Sequence, residues 1–328
     1  MNFPYARGRR LRTSASIRDT VAESRLHPAG FIAPVFITEG KKIREPISSM
    51  PDYYRFSTDL LADEVGMLLD TGIRSVLLFV KVPDQLKDNR GTEALNPDGL
   101  MQRSVRFLKE QFPDLVVMTD VALDPYSSFG HDGIVENGKI VNDATIEVLA
   151  QMSVSHAEAG ATFVAPSDMM DGRVGFIRES LEEAGFSDTG IMAYSAKYAS
   201  GFYGPFRDAL DSAPGFGDKK TYQMDPRNVR EAVREATTDE AEGADIVMVK
   251  PGLPYLDVVR AVREAVGIPV AVYNVSGEYA MIKAAAKMGW IDEEQAMMES
   301  LVAFKRAGAD LIATYFARKA ANLLVKRL

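Results

Sequence analysis

Two lysines at the ends of apolar runs are the first residues of this chain that point to chemistry. Lys250 ends the run "IVMVK" (246–250), and Lys197 follows the run "IMAYSA" (191–196). Neighbouring strands lie about 4.8 Å apart, so two ammonium groups at their ends repel each other, and an apolar surround desolvates both. Both effects lower the pKa of a lysine. A neutral amine can attack a ketone and form a Schiff base, so the pair predicts carbonyl chemistry.

One loop gathers residue types that are common in metal sites. It reads "TDVALDPYSSFGHDG" (119–133) and contains Asp120, Asp124, His131 and Asp132. The chain has no cysteine, which excludes thiolate zinc sites, disulfides and cysteine nucleophiles. Its three histidines form neither a His-x-His nor a His-Glu-x-x-His pair, so a histidine zinc site is not expected.

A glycine-rich segment, 198–225, has the features of a lid. It carries Arg207 and Lys219, and a lid that binds a substrate carboxylate also expels water from the site. Hydroxyl groups for a second carboxylate follow two later apolar runs, at Ser276 and Tyr315. Taken singly, each of these residues also fits a solvated surface.

Eight short apolar runs alternate with amphipathic segments of helical period, a pattern that indicates βα units around a parallel sheet. Three joints, "EAGATFVAP", "AEGADIVMV" and "RAGADLIAT", place a glycine between a helix and a buried strand. Eight units without a Gly-x-Gly-x-x-Gly motif after the first favour an α/β fold of the (β/α)8 TIM-barrel type over a doubly wound sheet. The runs are 31–37, 75–80, 115–121, 163–167, 191–196, 246–250, 269–275 and 311–316.

The first 28 residues are predicted to form an extended N-terminal arm, which leaves 29–328 for the barrel. Residues 1–25 contain six arginines and two acidic residues, with little hydrophobic periodicity. A solvated tail and a segment that docks on a neighbouring subunit both fit this composition.

Composition and charge narrow the range of partners. The chain has 328 residues, of which 46% are hydrophobic, as in a globular protein with a large core. A net charge of -8 and a pI near 5.1 argue against nucleic acid or an anionic membrane as a partner. No apolar run approaches the roughly 18 to 20 residues of a membrane span, and the N-terminus lacks a secretory signal. We therefore expect small-molecule substrates and a cytoplasmic protein.

Five segments resemble the porphobilinogen synthase family, also called the 5-aminolevulinate dehydratases. They are "MAYSAKYASGFYGPFRDA", "GDKKTYQMDPRN", "EGADIVMVKPGLPYLD", "YNVSGEYAM" and "TDVALDPYSSFGHDG". The resemblance runs from about residue 5 to the C-terminus. It implies a TIM barrel with an N-terminal arm, assembled as a homo-octamer. It also implies a lyase that condenses two molecules of 5-aminolevulinate to porphobilinogen, with loss of two waters, in tetrapyrrole (haem and chlorophyll) biosynthesis.

The resemblance implies a role for each candidate residue. Lys250 corresponds to the Schiff-base lysine for the substrate that supplies the propionate side, and Lys197 binds the other substrate. Asp120 and Asp124 fall at the amino end of this second substrate, where carboxylates orient an ammonium and move protons. The remaining substrate-binding residues are Arg207, Lys219 and Gln223 for the carboxylate of the second substrate, with Ser276 and Tyr315 for that of the first.

The resemblance also changes the expected metal. Zinc-dependent members of the family have three cysteines in this loop, at positions that are Ala122, Asp124 and Asp132 here. The chain thus resembles the magnesium-responsive branch, whose allosteric Mg2+ lies away from the chemistry, near an acidic residue on the helix before the Schiff-base lysine. That residue is Glu235, and one carboxylate suffices because Mg2+ keeps most of its waters. No zinc and no organic cofactor are expected.

Two other interpretations stay open at this point. A class I aldolase on the same barrel needs only one Schiff-base lysine, although its substrates are commonly phosphorylated and no glycine-rich phosphate loop follows the last two runs. A ligand-binding barrel or a structural oligomer would use the lysines only to bind anions.

Overall fold

Eight parallel strands close into a barrel in the computed structural model, which describes residues 3–212 and 215–326. The strands are β1 (Phe31–Thr38), β2 (Arg44–Pro46), β3 (Tyr54–Ser57), β4 (Ser75–Lys81), β5 (Val116–Val121), β6 (Val135–Glu136), β7 (Lys139–Ile140), β8 (Phe163–Pro166), β9 (Gly190–Lys197), β10 (Ile246–Lys250), β11 (Val270–Asn274) and β12 (Leu311–Thr314). The ring of barrel strands runs β1-β4-β5-β8-β9-β10-β11-β12 and closes where β12 pairs with β1. All eight predicted runs form barrel strands, so the predicted (β/α)8 barrel is confirmed.

Most residues of the barrel strands are apolar because both faces of these strands are buried. Every residue of β10 and β11 is buried. Strands covered on one side by helices and on the other by the barrel interior read as continuous Val- and Ile-rich runs rather than alternating ones. A polar residue at the end of such a strand therefore stands out against its apolar neighbours.

Helices cover the outside of the barrel. The helices are α1 (Ala15–Thr20), α2 (Leu61–Leu69), α3 (Leu100–Gln111), α4 (Asp143–Glu158), α5 (Arg173–Glu183), α6 (Gly204–Leu210), α7 (Val229–Ala241), α8 (Leu256–Ala265), α9 (Ser276–Lys287), α10 (Glu293–Ala307) and α11 (Ala317–Val325). In α8, Val258, Val259 and Val262 are buried, while Arg260 and Glu264 pair on the exposed side at 2.6 Å.

Three glycines end helices at the predicted joints. Gly160, Gly243 and Gly308 have φ values of 101°, 103° and 118°, a region that glycine enters without steric cost. Each residue reverses the chain so that the next buried strand follows within three residues. The predicted helix-to-strand joints are confirmed.

The N-terminal segment lies apart from the core. In the described part of the chain, the first buried residue is Pro28, and the segment before it contains a 3-10 turn (Gly8–Arg12) and α1. The side chains of Phe3 and Tyr5 are 74% and 83% exposed. The division between arm and barrel at residue 28 stays a prediction, with this burial pattern in its favour. None of the helices within the described ranges is long and apolar enough to cross a membrane.

Truncation of a barrel-strand residue tests this core. Leu77 of β4 is fully buried, so Leu77→Ala should lower the free energy of unfolding by about 2 to 5 kcal/mol through lost burial and a cavity. Urea unfolding at one fixed protein concentration measures the change. The control, Leu86→Ala, alters a side chain that is 41% exposed and should cost less than about 0.5 kcal/mol. Equal losses in both variants would contradict the assignment of Leu77 to the core.

Candidate active site

The two lysines stand side by side at one mouth of the barrel. Lys250 pairs in register with Lys197 across β10 and β9, and each is the last residue of its strand. Both are buried, with 4% and 7% of their surface exposed. The side chains therefore lie at the C-terminal face, where TIM barrels place their active sites.

Aromatic rings surround the amine of Lys250. Burial, and then the neighbouring Lys197, lowers the pKa of Lys250 to about 7, although nearby aspartates act in the opposite direction. Aromatic faces attract a cation, but the loss of water outweighs this attraction here. Near neutral pH a large fraction of Lys250 is thus the neutral amine that a Schiff base requires. The amine nitrogen lies 4.7 to 5.2 Å from the centres of four rings, those of Tyr194, Tyr203, Phe206 and Tyr273.

Lys197 has a different, polar environment. Its amine donates to Asp132 Oδ2 at 3.3 Å and to the carbonyl oxygen of Ser167. The other oxygen of Asp132 accepts from Lys219 Nζ at 2.5 Å, and Lys219 also lies 3.4 Å from Asp124 Oδ2. Burial works against the charge on Asp132, but the two ammonium groups outweigh it and lower the pKa of this carboxyl. Asp132 thus bridges two lysines.

Asp120 is an acid near the lysines that changes its protonation in the same range as Lys250. It is buried near the end of β5, and burial followed by the charge of Asp124 raises its pKa to about 7. No hydrogen-bond partner for Asp120 Oδ1 occurs among the described residues. A buried carboxyl with a free oxygen and a pKa near neutrality can take or give a proton at the reacting atoms.

Most of the predicted residues come together. The lid contributes three of them, and its chain is tied to the strand end because Met224 N donates to the Lys197 carbonyl at 3.0 Å and Ala199 N to the Met224 carbonyl at 2.8 Å. Within the described ranges, no carboxylate pairs with Arg207. One cavity is lined by six of the predicted residues, which are Lys250, Lys197, Asp124, Arg207, Lys219 and Gln223.

Three of the predicted residues, Asp120, Ser276 and Tyr315, do not line that cavity. Ser276 Oγ accepts from the backbone of Phe206 at 3.0 Å. The Tyr315 hydroxyl lies 3.0 Å from that of Tyr273. Its ring stacks on Phe36, which in turn packs against Phe206. Phe206 thus contacts the Ser276 hydroxyl through its backbone N–H, while the centre of its ring lies 4.8 Å from the amine nitrogen of Lys250.

The loop 119–133 is not arranged as a metal site. The ring of His131 binds the Tyr222 hydroxyl at 3.1 Å and the Phe216 carbonyl at 3.0 Å, so it attaches the loop to the lid. No group of three or more histidine, aspartate or glutamate side chains in the described part of the chain is placed to hold a metal. The metal hypothesis for this loop is not supported by its geometry.

Glu235 lies outside the cavity, on α7. Its side chain is 27% exposed and lies 3.3 Å from Arg234. Burial raises its pKa, while Arg234 acts in the opposite direction. Asp171, Asp225 and Glu231 line the same cleft, and so does Gln223, which also lines the cavity of the lysines.

Sequence reasoning missed two features of the site. Asp132 was identified only as the counterpart of a zinc ligand, and its function as a bridge depends on two lysines that are 65 and 87 residues away. The aromatic surround of Lys250 comes from three different segments. In the sequence, the only indication of these rings was the number of tyrosines and phenylalanines in the predicted lid and in the strands β9 and β11, which flank β10.

Comparisons with known proteins agree with this site. The chain matches the family "Delta-aminolevulinic acid dehydratase" over residues 5–323. Delta-aminolevulinic acid dehydratase from Physcomitrium patens is 58% identical over 97% of this chain and 74% of its own length, and the one from Oryza sativa is 58% identical over 97% and 75%. The Toxoplasma gondii ME49 enzyme, solved with its product porphobilinogen, is 53% identical with a TM-score of 0.96, over 98% of this chain and 92% of its own.

One prediction is wrong by these comparisons. The relatives from Physcomitrium, Oryza and Arabidopsis are named chloroplastic, which points to a plastid rather than the cytoplasm. The lack of an apolar leader argued only against a secretory signal, because transit peptides are amphipathic and rich in arginine and serine.

The family and the fold that the sequence predicted are both confirmed. The match extends over nearly the whole barrel and includes both strand-end lysines, the aspartate loop and the lid. This chain belongs to the delta-aminolevulinic acid dehydratase family.

Proposed function

We propose that Lys250 and Lys197 carry the reaction of this dehydratase as the two Schiff-base lysines. The chain is a porphobilinogen synthase, a lyase that condenses two molecules of 5-aminolevulinate in tetrapyrrole biosynthesis. The observation that carries the assignment is the in-register pair of buried lysines, one of which has a pKa of about 7. The family match removes the grounds for the aldolase and for a non-enzymatic barrel.

In the proposed mechanism, each lysine forms one imine. The neutral amine of Lys250 attacks the ketone of one substrate, and Lys197 attacks that of the other after it gives its proton to Asp132. The two ketone oxygens leave as two waters. Formation of one carbon–carbon and one carbon–nitrogen bond then releases both lysines as amines. Holding the two substrates as imines on adjacent strands removes much of the entropic cost of joining them.

Asp120 is proposed as the proton carrier. Its pKa of about 7 lets it give a proton to the departing hydroxyl group and take one back later. Its Oδ1 is buried and has no hydrogen-bond partner among the described residues, so it can bond to a reacting group without the loss of an existing hydrogen bond. Asp124 is proposed to orient the substrate ammonium.

Arg207, Lys219 and Gln223 are proposed to bind the carboxylate of the second substrate. Half-buried Arg207 lines the cavity without an acidic partner from the described residues, and an arginine in this state is a receptor for a planar carboxylate. Ser276 and Tyr315 are proposed to bind the carboxylate of the first substrate. The support is their position next to Phe206, which a moving lid would displace.

Glu235 is proposed to hold an allosteric Mg2+ through the ion's water shell. The cleft offers carboxylate oxygens, the ligands that Mg2+ prefers. Gln223 lines both this cleft and the cavity of the lysines, so an ion in the cleft can affect the lid.

A homo-octamer is also proposed, with the exposed N-terminal arm packed on a neighbouring subunit. The exposed side chains of Phe3 and Tyr5 in this arm support the contact.

Removal of the Schiff-base amine tests the central assignment. Lys250→Ala should abolish porphobilinogen formation, measured colorimetrically, because no other buried amine in the described part of the chain has a comparable aromatic surround. Borohydride added to the wild type with 5-aminolevulinate should leave a mass adduct on the peptide that contains Lys250. The absence of an adduct on both Lys250 and Lys197 would refute the mechanism.

The pKa of Lys250 predicts the pH dependence of imine formation. The initial rate of adduct formation at Lys250, after a short reaction and a borohydride quench, should rise about tenfold per pH unit in acid and level off above its pKa of about 7. In Asp120→Asn the midpoint should move to lower pH, because the charge of Asp120 raises the pKa of Lys250. A rate that still rises near pH 10, as for an ordinary lysine, would contradict this environment.

A variant at the cleft tests the proposed Mg2+ site separately from the catalytic reaction. Glu235→Ala should retain activity without added metal but lose stimulation by Mg2+, because the cleft loses its proposed carboxylate. Activity is measured over a series of Mg2+ concentrations, with a chelator as the zero point. Glu264→Ala, which alters an exposed ion pair on α8, is the control. Unchanged stimulation in Glu235→Ala would remove Glu235 from the metal hypothesis.

A further inference from the structure

A buried carboxylate connects the loops behind the active site. Glu278 lies in the first turn of α9 and has no exposed surface. It forms no ion pair with any lysine, arginine or histidine within the described ranges, and it does not line the cavity of the lysines. Its two oxygens instead accept four hydrogen bonds, from Gly252 N (3.1 Å), Leu253 N (2.6 Å), Asn274 Nδ2 (2.8 Å) and Val275 N (2.8 Å).

These bonds link three strand ends. Gly252 and Leu253 follow β10, and Asn274 ends β11. The side-chain oxygen of Asn274 accepts from Thr314 Oγ1 at 2.8 Å, and Thr314, which ends β12, accepts from Phe316 N at 3.1 Å. One carboxylate therefore fixes the relative positions of three consecutive loops.

Each of these loops carries or adjoins one residue proposed to act on the first substrate. Lys250 lies two residues before Gly252, Ser276 follows the second loop, and Tyr315 lies in the third. No other side chain in the described residues accepts hydrogen bonds from the loops after both β10 and β11. The carboxylate that orders these loops is thus placed to set the distance between the Schiff-base amine and the proposed carboxylate site.

The turn after Lys250 has little room to adjust. A Cβ on Gly252 would lie 2.5 Å from the ring of Phe304 and 3.0 Å from the carbonyl oxygen of Tyr273. The carbonyl of Lys250 itself accepts from Tyr198 N at 2.9 Å and from the Tyr203 hydroxyl at 3.2 Å. With Glu278 on the other side of the turn, the backbone that carries the amine is held from both directions.

We propose that Glu278 is a positioning residue, which keeps the amine of Lys250 inside its aromatic surround and in a fixed relation to Ser276 and Tyr315. The proposal rests on the proposed function of Lys250 as a Schiff-base lysine. Glu278 does not touch substrate. It acts through the turn at Gly252 and Leu253.

The chemistry of Glu278 indicates that this residue does more than fill space in the core. Burial raises its pKa to about 7, against the four hydrogen bonds that favour the charged form. A buried charge without a cation is unfavourable unless its hydrogen bonds are complete. Glutamine has the same size, but it would turn an amide N–H group toward two of the four donors. Only a group with acceptors on both sides satisfies all four.

Kinetics of Glu278→Gln test the proposal. The turnover number per folded molecule should fall about 10- to 100-fold, because small displacements of a reacting group cost rates of this order. The rate of the borohydride-trapped adduct at Lys250 should fall in parallel. Circular dichroism and thermal unfolding give the folded fraction, since a purely structural function would lower that fraction and leave the rate per folded molecule unchanged.

Asp310→Asn is the matched control. Asp310 also accepts from a strand backbone, that of Val270 at 3.0 Å, but at the opposite end of β11. Its turnover number should stay within about twofold of the wild type. Equal activity per folded molecule in Glu278→Gln and Asp310→Asn would overturn the proposal.

A second variant covers the case in which Glu278→Gln does not fold. Thr314→Val keeps the side-chain size and removes the hydrogen bond to Asn274, and it should lower the adduct rate at Lys250 about threefold per folded molecule. An unchanged rate there would also overturn the proposal. A wild type that makes no porphobilinogen and no adduct would instead refute the proposed function, so the two failures are distinguishable.

Discussion

The repulsion between two buried amines is the constraint on which the rest of this site depends. Lys197 and Lys250 are held in register by the hydrogen bonds of β9 and β10, and both are shielded from water. Two charged ammonium groups in such a place would be unfavourable. The protein gives them unlike environments: burial, which removes water from Lys250, favours loss of its proton, whereas Lys197 lies against a carboxylate.

The neighbouring aspartates follow from this division. Asp132 compensates Lys197 and Lys219 together and stays charged. Asp120 has no such cationic partner among the described residues, and its pKa rises to about 7, beside that of Lys250. Before substrate binds, Asp132 thus balances fixed charge, whereas Asp120 has a pKa suited to the proton transfer proposed for it. Two residues of the same type, 12 positions apart in the segment 119–133, acquire different protonation properties from their surroundings alone.

The sequence predicts the parts of this arrangement that depend on local pattern. Eight apolar runs, the three capping glycines and the two strand-end lysines are all visible within a few residues of chain, and the barrel then brings the lysines together. The bridge made by Asp132 and the network of Glu278 depend on contacts between segments that lie 25 to 87 residues apart, because the positions of the loops are set only by the closed barrel. The absence of Ser276 and Tyr315 from the cavity of the lysines accompanies the packing of Phe206, which no spacing encodes.

The cations of the lid, like the two strand-end lysines, differ in whether a carboxylate compensates their charge. Lys219 is neutralised by Asp132 and Asp124, whereas Arg207 is the lid cation that lines the cavity without an acidic partner among the described residues. If these residues bind substrate as proposed, an incoming carboxylate would be attracted first to Arg207, and it could share Lys219 only by weakening the contact with Asp132. That exchange would leave Asp132 freer to accept the proton of Lys197. Binding of the second substrate would thus prepare the second amine for attack, which couples occupancy of the site to its chemistry.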